Sequence, residues 1–277
     1  MQKIGIVAGA GGLPVLVAKI AAAKGVIPVI VCLDDPKIDE EVGDFSPFAP
    51  TCFGLTQIES IIAHFITHDV SDIIMVGKVE RPVLTKETVI DATSAKLLQD
   101  TLPHGDDVAL RAVLGVVQQA GLRVLPLQAL IPNQILPADY DNGQGDAISS
   151  DSLTLAIKTH KRLSSLDVGQ AVIVQDKRVI AIEAAEGTDE MIGRAASLLS
   201  DDAASLFFKA SKSAQHKLLD PPVFGLDTIA KCIASGIGAI AIEAEHCILA
   251  APLTEIEAVC ASHNIRLVAV TLHEAGE

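Results

Sequence analysis

The sequence predicts a two-domain α/β protein, and three observations carry that reading. Its 277 residues divide into about two domains of roughly 150 residues each. Hydrophobic side chains make up 49% of the chain, enough to fill two cores without disulfide staples. In the first half, short apolar runs alternate with segments of helical spacing, the pattern of a parallel sheet covered on both faces.

KIGIVA (3–8) is a strand ending in glycines, and from Leu13 the apolar spacing is helical until Gly25 stops it. PVIVCL (28–33) is a second strand, TQIESIIAHFITHD (56–69) an amphipathic helix and SDIIMVG (71–77) a third strand. Helices are expected over about 88–101 and 106–120, then a strand at RVLPL (123–127). Together these make an N-terminal Rossmann-like domain over 1–131. Residues 132–150 are rich in Pro, Gly and Asp and lack periodicity, so they are read as a linker.

Ser150 or Asp151 is expected to cap a helix to about 165, opening a C-terminal α/β domain over 151–277. In AVIVQDKRVIAIEA (171–184) two apolar, β-branched runs flank Asp176-Lys177, which predicts a hairpin. EGTD (186–189) starts a helix, SLFFKA (205–210) is a strand, LDTIAKCIASG (226–236) a helix and IGAIAIEA (237–244) a strand. Thr254 and Glu257 have capping-box spacing before a helix, and RLVAVTL (266–272) is the last strand.

Composition excludes several functions. With 21 basic against 35 acidic side chains the net charge is -14, which argues against nucleic-acid binding through clustered Lys and Arg. Aromatics are only 3%, too few for base-stacking platforms. Five widely spaced Cys without Cys-x-x-Cys fit neither a disulfide framework nor a zinc site, and are read as buried small apolar residues. No apolar run reaches the roughly 20 residues needed to span a bilayer. The opening segment reads as strand, glycine loop and helix rather than signal peptide, because Lys19 falls inside its apolar stretch. The expected location is cytoplasmic.

Gly9-Ala10-Gly11-Gly12-Leu13-Pro14 stands at a strand-to-helix turn, where backbone N–H groups can approach phosphate oxygens. Pro14 occupies the third glycine position of Gly-x-Gly-x-x-Gly, so the dinucleotide fingerprint is absent and a plain tight turn remains open. Asp34 and Asp35 end the second strand, where a ribose acid would stand, or are ordinary loop acids. Gly77-Lys78-Val79-Glu80-Arg81-Pro82 follows the third strand on the same sheet edge, so Lys78 and Arg81 could neutralise a phosphate there.

Asp106 and Asp107 stand at a helix start, one as a cap and the other available to a metal or hydroxyl. Thr188 or Asp189 could simply cap a helix after Glu186-Gly187. Lys209, Lys212 and Lys217 precede Asp220-Pro221-Pro222, where two prolines stiffen the backbone beside a carboxylate suited to metal ligation or general base work. His64 and His68 are the only i, i+4 histidine pair and are read as surface or helix-end residues.

Taken in order, these segments resemble the LpxI-type UDP-2,3-diacylglucosamine diphosphatases of lipid A biosynthesis. The resemblance rests on IGIVAGAGGLP, GKVERP, GDDVALRAVL, DVGQAVIVQDKRVIAIEAAEGTDEM and KASKSAQHKLLDPPVFGLDTI, in that order along nearly the whole chain. It implies Mg²⁺-dependent hydrolysis of UDP-2,3-diacylglucosamine to UMP and 2,3-diacylglucosamine 1-phosphate, with the active site in an interdomain crevice. By that resemblance Asp220 matches the essential acid and metal ligand, and Gly12, Gly77, Lys78, Gln170, Thr188 and Asp189 match sugar-phosphate contacts. Gly11, Arg81, Asp106, Lys209 and Lys212 join them as candidate substrate contacts. The implied partners are the substrate, its product, a second copy in a homodimer, and transient contact with the inner face of the cytoplasmic membrane.

Two departures stand out: Lys212-Ser213 replaces a Lys-Pro pair, and IEAEH (242–246) replaces a Gly-Glu-Ala-Gly turn. Both are expected to loosen a loop near the site. The alternatives are a nucleotide-cofactor oxidoreductase, favoured by the first βαβ unit and Asp34, and a non-catalytic lipid or nucleotide-sugar carrier.

Overall fold

The computed structural model describes residues 2–34, 45–79, 84–101, 106–164, 166, 168–200, 203–212 and 221–272. The chain forms two compact units, the first ending at Pro132 and the second beginning at Asn133.

In the first unit the elements run β1 (Lys3–Ala8), α1 (Leu13–Ala23), β2 (Ile27–Asp34), β3 (Thr51–Gly54), α2 (Ile58–Thr67), β4 (Asp72–Val76), α3 (Ala92–Thr101), α4 (Asp106–Gln119), β5 (Arg123–Val124) and α5 (Leu127–Leu130). The five strands are parallel, in the order β3-β2-β1-β4-β5. That is the doubly wound order, in which the crevice at the carboxyl ends of β1 and β4 is the topological switch point. Ile6, Val31, Ile73 and Ile74 are almost wholly buried, as continuous apolar runs in a two-faced parallel sheet require, and Phe65 of α2 is buried among them.

Two expectations are corrected here. The helix predicted from about 88 begins at Ala92, because the Asp91 carboxylate accepts the Ser94 N–H at 2.7 Å and stops the chain short. The strand predicted at 123–127 is two residues long, since Pro126 turns the chain into α5.

The second unit contains α6 (Ser150–Ser164), β6 (Ala171–Gln175), β7 (Arg178–Ile182), α7 (Thr188–Ala195), β8 (Ser205–Lys209), β9 (Val223–Phe224), α8 (Leu226–Ala234), β10 (Ala239–Glu243), β11 (Ile248–Leu249), α9 (Leu253–Ser262) and β12 (Arg266–Val270). Its main sheet has the order β12-β10-β8-β6-β7. Strands β12, β10 and β8 are parallel, and β6 runs against both β8 and β7. Alternation divides the strands between two cores. Ile173, Phe207, Ile240 and Ile242 pack with Met191, Ile192, Ile229 and Ile256, while Val172, Val174, Leu206 and Phe208 pack with Ala156. The hairpin turn is as expected, with Asp176 and Lys177 both left-handed at φ 47° and 59°, as a type I′ turn demands.

The polar stretch 132–150 is built into this unit. Leu136 is fully buried, and the Asn142 side chain accepts from the Leu267 N–H at 3.0 Å and donates to the Ile265 carbonyl at 3.0 Å. Neither Ser150 nor Asp151 caps α6: the hydroxyl at its start is that of Ser149, 3.5 Å from the Ser152 N–H, and Asp151 pairs with Lys177 at 2.7 Å. The expected capping box also gives way. Pro252 holds the N-cap position of α9, and Glu257 instead accepts the Tyr140 hydroxyl at 2.6 Å. No helix among the described residues is long and apolar enough to cross a membrane.

Candidate functional site

In the first unit the loop after β1 is clamped onto the loop after β4. Gly9 N–H donates to the Val76 carbonyl at 2.9 Å, and Ala10 and Lys78 exchange N–H to carbonyl bonds of 2.8 and 3.0 Å. Glycine is needed on both sides of this contact. A Cβ on Gly9 would strike the Lys78 carbonyl, and one on Gly77, at φ +98°, would lie 2.8 Å from the Ala10 carbonyl oxygen. Gly11 and Gly12 differ: nothing lies within 4 Å of a Cβ built on either. Gly12 is the N-cap of α1 and brings no side-chain cap to the first turn of the helix. Lys78 stands on the same edge. Asp106 is the first residue of α4. Arg81 and Asp35 lie outside the described residues.

In the second unit a polar chain gathers where β8 ends. Lys209, the last residue of β8, is only 7% exposed, and its ammonium donates to the Thr188 hydroxyl at 2.9 Å. That hydroxyl donates to Glu183 Oε1 at 3.0 Å, and Glu183 Oε2 accepts the Gln170 N–H at 3.1 Å. Antiparallel β6 begins at this edge and β7 ends at it, which is why Gln170 and Glu183 meet the end of β8. Thr188 does not cap α7, whose N-cap is Gly187 without a side-chain bond.

The next residues of the strand end are held as firmly. Ala210 N–H donates to the Gln170 carbonyl at 3.0 Å, and Ser211 N–H donates to Glu243 Oε2 at 2.7 Å. The Ala210 carbonyl lies 3.1 Å from Nε2 of His160, a buried α6 residue whose ring meets Phe208 edge-on at 5.6 Å. Burial lowers the His160 pKa, against smaller upward effects of the Ala210 carbonyl, Glu243 and Glu183.

Of the residues expected to act, Gln170, Thr188 and Lys209 are brought together. Asp189 points elsewhere and pairs with Lys231 of α8 at 2.8 Å, raising that lysine's pKa. Lys212 is partly exposed, just beyond the strand end. Asp220, Lys217 and Ser213 lie outside the described residues. Glu183, Glu243 and His160 were not anticipated. The only signal for the two glutamates was a carboxylate closing each of the apolar runs IAIE and AIAIE.

The segment 242–246, expected to be loosened, is pinned instead. Glu243 holds Ser211, Ala244 N–H donates to the Val270 carbonyl at 2.9 Å, and Glu245 N–H donates to the Leu136 carbonyl at 2.9 Å. His64 and His68 close α2, the His68 ring nitrogen lying 2.7 Å from the His64 carbonyl. Four cysteines are buried, but Cys52, on the edge strand β3, is exposed, which corrects the reading of all five as core residues.

Residues 3–134 match the model of the LpxI N-terminal domain, and residues 139–268 that of the LpxI C-terminal domain. The UDP-2,3-diacylglucosamine pyrophosphatase LpxI of Caulobacter vibrioides is 27% identical over 257 residues, covering 88% of this chain and 89% of that protein. Among solved structures, the Stenotrophomonas maltophila UDP-glucose-4-epimerase with bound NAD and formylated UDP-arabinopyranose is 17% identical at a TM-score of 0.29. The match covers 44% of this chain and 35% of that one. The biotin carboxylase domain of Hydrogenobacter thermophilus 2-oxoglutarate carboxylase, with MgADP, is 10% identical at a TM-score of 0.28, over 71% of this chain and 41% of that one. This chain thus spans less than half of either solved structure.

Proposed function

This chain belongs to the LpxI family, and from that premise we propose that it hydrolyses the diphosphate bond of UDP-2,3-diacylglucosamine, releasing UMP and 2,3-diacylglucosamine 1-phosphate. The observation that carries the reading is the buried Lys209 ammonium held at a sheet edge by Thr188 and Glu183. A diphosphate ester is anionic and kinetically inert, so its hydrolysis needs positive charge placed in advance where phosphoryl oxygens will lie. Lys209 supplies such a charge in a chain that is strongly acidic overall.

Gly11, Gly12, Gly77 and Lys78 are assigned to substrate oxygens, with open space beside Gly11 and Gly12 and an ammonium on Lys78. Gln170, Thr188 and Lys209 are assigned to the phosphoryl end, and Asp220 to the hydrolytic step. Among the described residues no three His, Cys, Asp or Glu side chains assemble for a metal. Glu183 and Glu243 already accept hydrogen bonds from Thr188, Gln170 and Ser211. The described residues therefore supply no ready-made cluster of Mg²⁺ ligands. Dependence on Mg²⁺, through Asp220, is part of the proposal.

The test is UMP release from UDP-2,3-diacylglucosamine by the full chain with Mg²⁺ or EDTA, beside Asp220→Ala. Turnover that EDTA and the substitution both abolish supports the reading. Tight substrate binding without turnover under any divalent metal overturns it in favour of a carrier.

A further inference from the structure

Glu183 is given no substrate contact above, yet it anchors the polar chain. We propose that Glu183 is a positioning residue, which accepts the hydrogen bond of the Thr188 hydroxyl so that the Thr188 oxygen holds the Lys209 ammonium ready for a phosphoryl oxygen. The inference rests on the proposed function for the identity of the anion.

The direction of the chain follows from the groups themselves. An ammonium can only donate and a carboxylate can only accept, whereas a hydroxyl has a single proton and free lone pairs. With Lys209 Nζ 2.9 Å and Glu183 Oε1 3.0 Å from the same oxygen, Thr188 accepts from one and donates to the other. Its proton is thus committed to Glu183, so what the threonine brings to the phosphoryl end is its hold on Lys209.

Glu183 is itself fixed from three sides. Its Oε2 accepts the Gln170 N–H, its own N–H donates to the Ala171 carbonyl at 3.0 Å, and its carbonyl lies against Gly169. At φ +41° Gly169 packs so close that a Cβ would collide with that carbonyl. A charged lysine only 7% exposed needs its desolvation offset, and a carboxylate one hydroxyl away does so without neutralising it by direct pairing.

The chain makes unequal demands on close substitutions. In Glu183→Gln a single carbonyl oxygen replaces two acceptors, so either the Gln170 N–H or the Thr188 hydroxyl loses its partner. If the amide NH₂ faces Thr188, the hydroxyl must turn its proton toward Lys209 and repel it. Thr188→Val keeps the shape and removes the hydroxyl, while Thr188→Ser keeps the hydroxyl. Helix α7 does not depend on this hydroxyl for a cap, so neither change at 188 uncaps it.

The experiment pairs calorimetric binding of inorganic pyrophosphate with steady-state UMP release, on the full chain and on Glu183→Gln, Thr188→Val and Thr188→Ser. Glu183→Gln and Thr188→Val are expected to weaken pyrophosphate binding and to lower kcat/KM by about 10- to 100-fold, the range for partners that orient an acting group. Thr188→Ser is expected to restore both to near the parent. Folded Glu183→Gln that binds pyrophosphate as the parent does overturns the inference. So does Thr188→Ser failing as badly as Thr188→Val. If Glu183→Gln does not fold, the Thr188 pair decides alone. The expected binding pattern without hydrolysis by the parent would sink the proposed function and leave the positioning role standing. Hydrolysis by the parent with no effect of the variants would do the reverse.

Discussion

The carbonyl oxygen of Lys78 is packed against the α-carbon of Gly9, so that the backbone at the end of β1 and the backbone after β4 touch with no room for a side chain. Two glycines of one loop therefore do different work. Gly9→Ala must push the two strand ends apart, an overpacking expected to lower stability by about 1–3 kcal/mol. Gly12 has φ −77° and open space beside it, so Gly12→Ala is expected to change stability by no more than about 0.5 kcal/mol. If the open side receives substrate, Gly12→Ala lowers kcat/KM while leaving the urea midpoint unmoved, and Gly9→Ala shifts the midpoint. Equal midpoints for the two variants would contradict this division.

Asp72 and Arg123 sit opposite each other on β4 and β5, joined by two bonds of 2.7 and 2.9 Å from the guanidinium to a carboxylate that is 6% exposed. Strand β5 has only two residues, so this fork does much to hold the sheet edge. Arg123→Met keeps the aliphatic stem and leaves the buried carboxylate without its fork, expected to cost about 1–3 kcal/mol in urea unfolding. Arg123→Lys, which cannot bind through two parallel bonds, is expected to fall between the two. A neutral Arg123→Met would show that water satisfies Asp72 equally well.

The apolar runs announced most strands, because strands buried on both faces leave a nearly unbroken hydrophobic stretch. The hairpin at Asp176-Lys177 was legible because its turn is local. Where the reading failed, a distant partner had overridden a local rule. Thr254 and Glu257 have capping-box spacing, but Tyr140 takes the glutamate. Thr188 has a capping residue's type and place, but Lys209 and Glu183 take its hydroxyl. The stretch 132–150 has a linker's composition, yet Leu136 and Asn142 each find partners in the second unit more than a hundred residues along. Glu183 and Glu243 were visible as carboxylates ending strands, and only strand order could bring them to either side of Lys209.

Cys52 alone among the five cysteines is exposed. Burial pushes the Cys247 thiol up to about 12 and that of Cys260 to about 11, and raises Cys232 as well. Only a thiolate attacks a disulfide reagent, so the folded chain at pH 8 is expected to release one rapid equivalent from Ellman's reagent, lost in Cys52→Ser. Denaturation should expose the other four. Rapid reaction of two or more thiols in the native state would mean that the strands carrying them open readily.

His160 links the pH of the medium to the strand end that carries Lys209. With Nε2 donating to the Ala210 carbonyl, Nδ1 is left buried without a partner among the described residues, which suits only the neutral ring. Burial lowers its pKa below the ordinary 6.5. Well above pH 6.5 neither the folded nor the unfolded chain protonates this ring, and its neutral contacts are fully retained. As the pH falls below 6.5 the unfolded chain takes up the proton first, so stability is lost, by at most about 1.4 kcal/mol per pH unit, until the lowered folded value is passed. His160→Gln keeps an N–H donor for Ala210 and removes the titration. Urea unfolding at pH 7.5 and 5.5 should therefore show a larger loss for the parent than for His160→Gln, with the carboxylates contributing alike to both. Equal losses would mean that the ring is already solvated in the folded chain and that Ala210 is held without it.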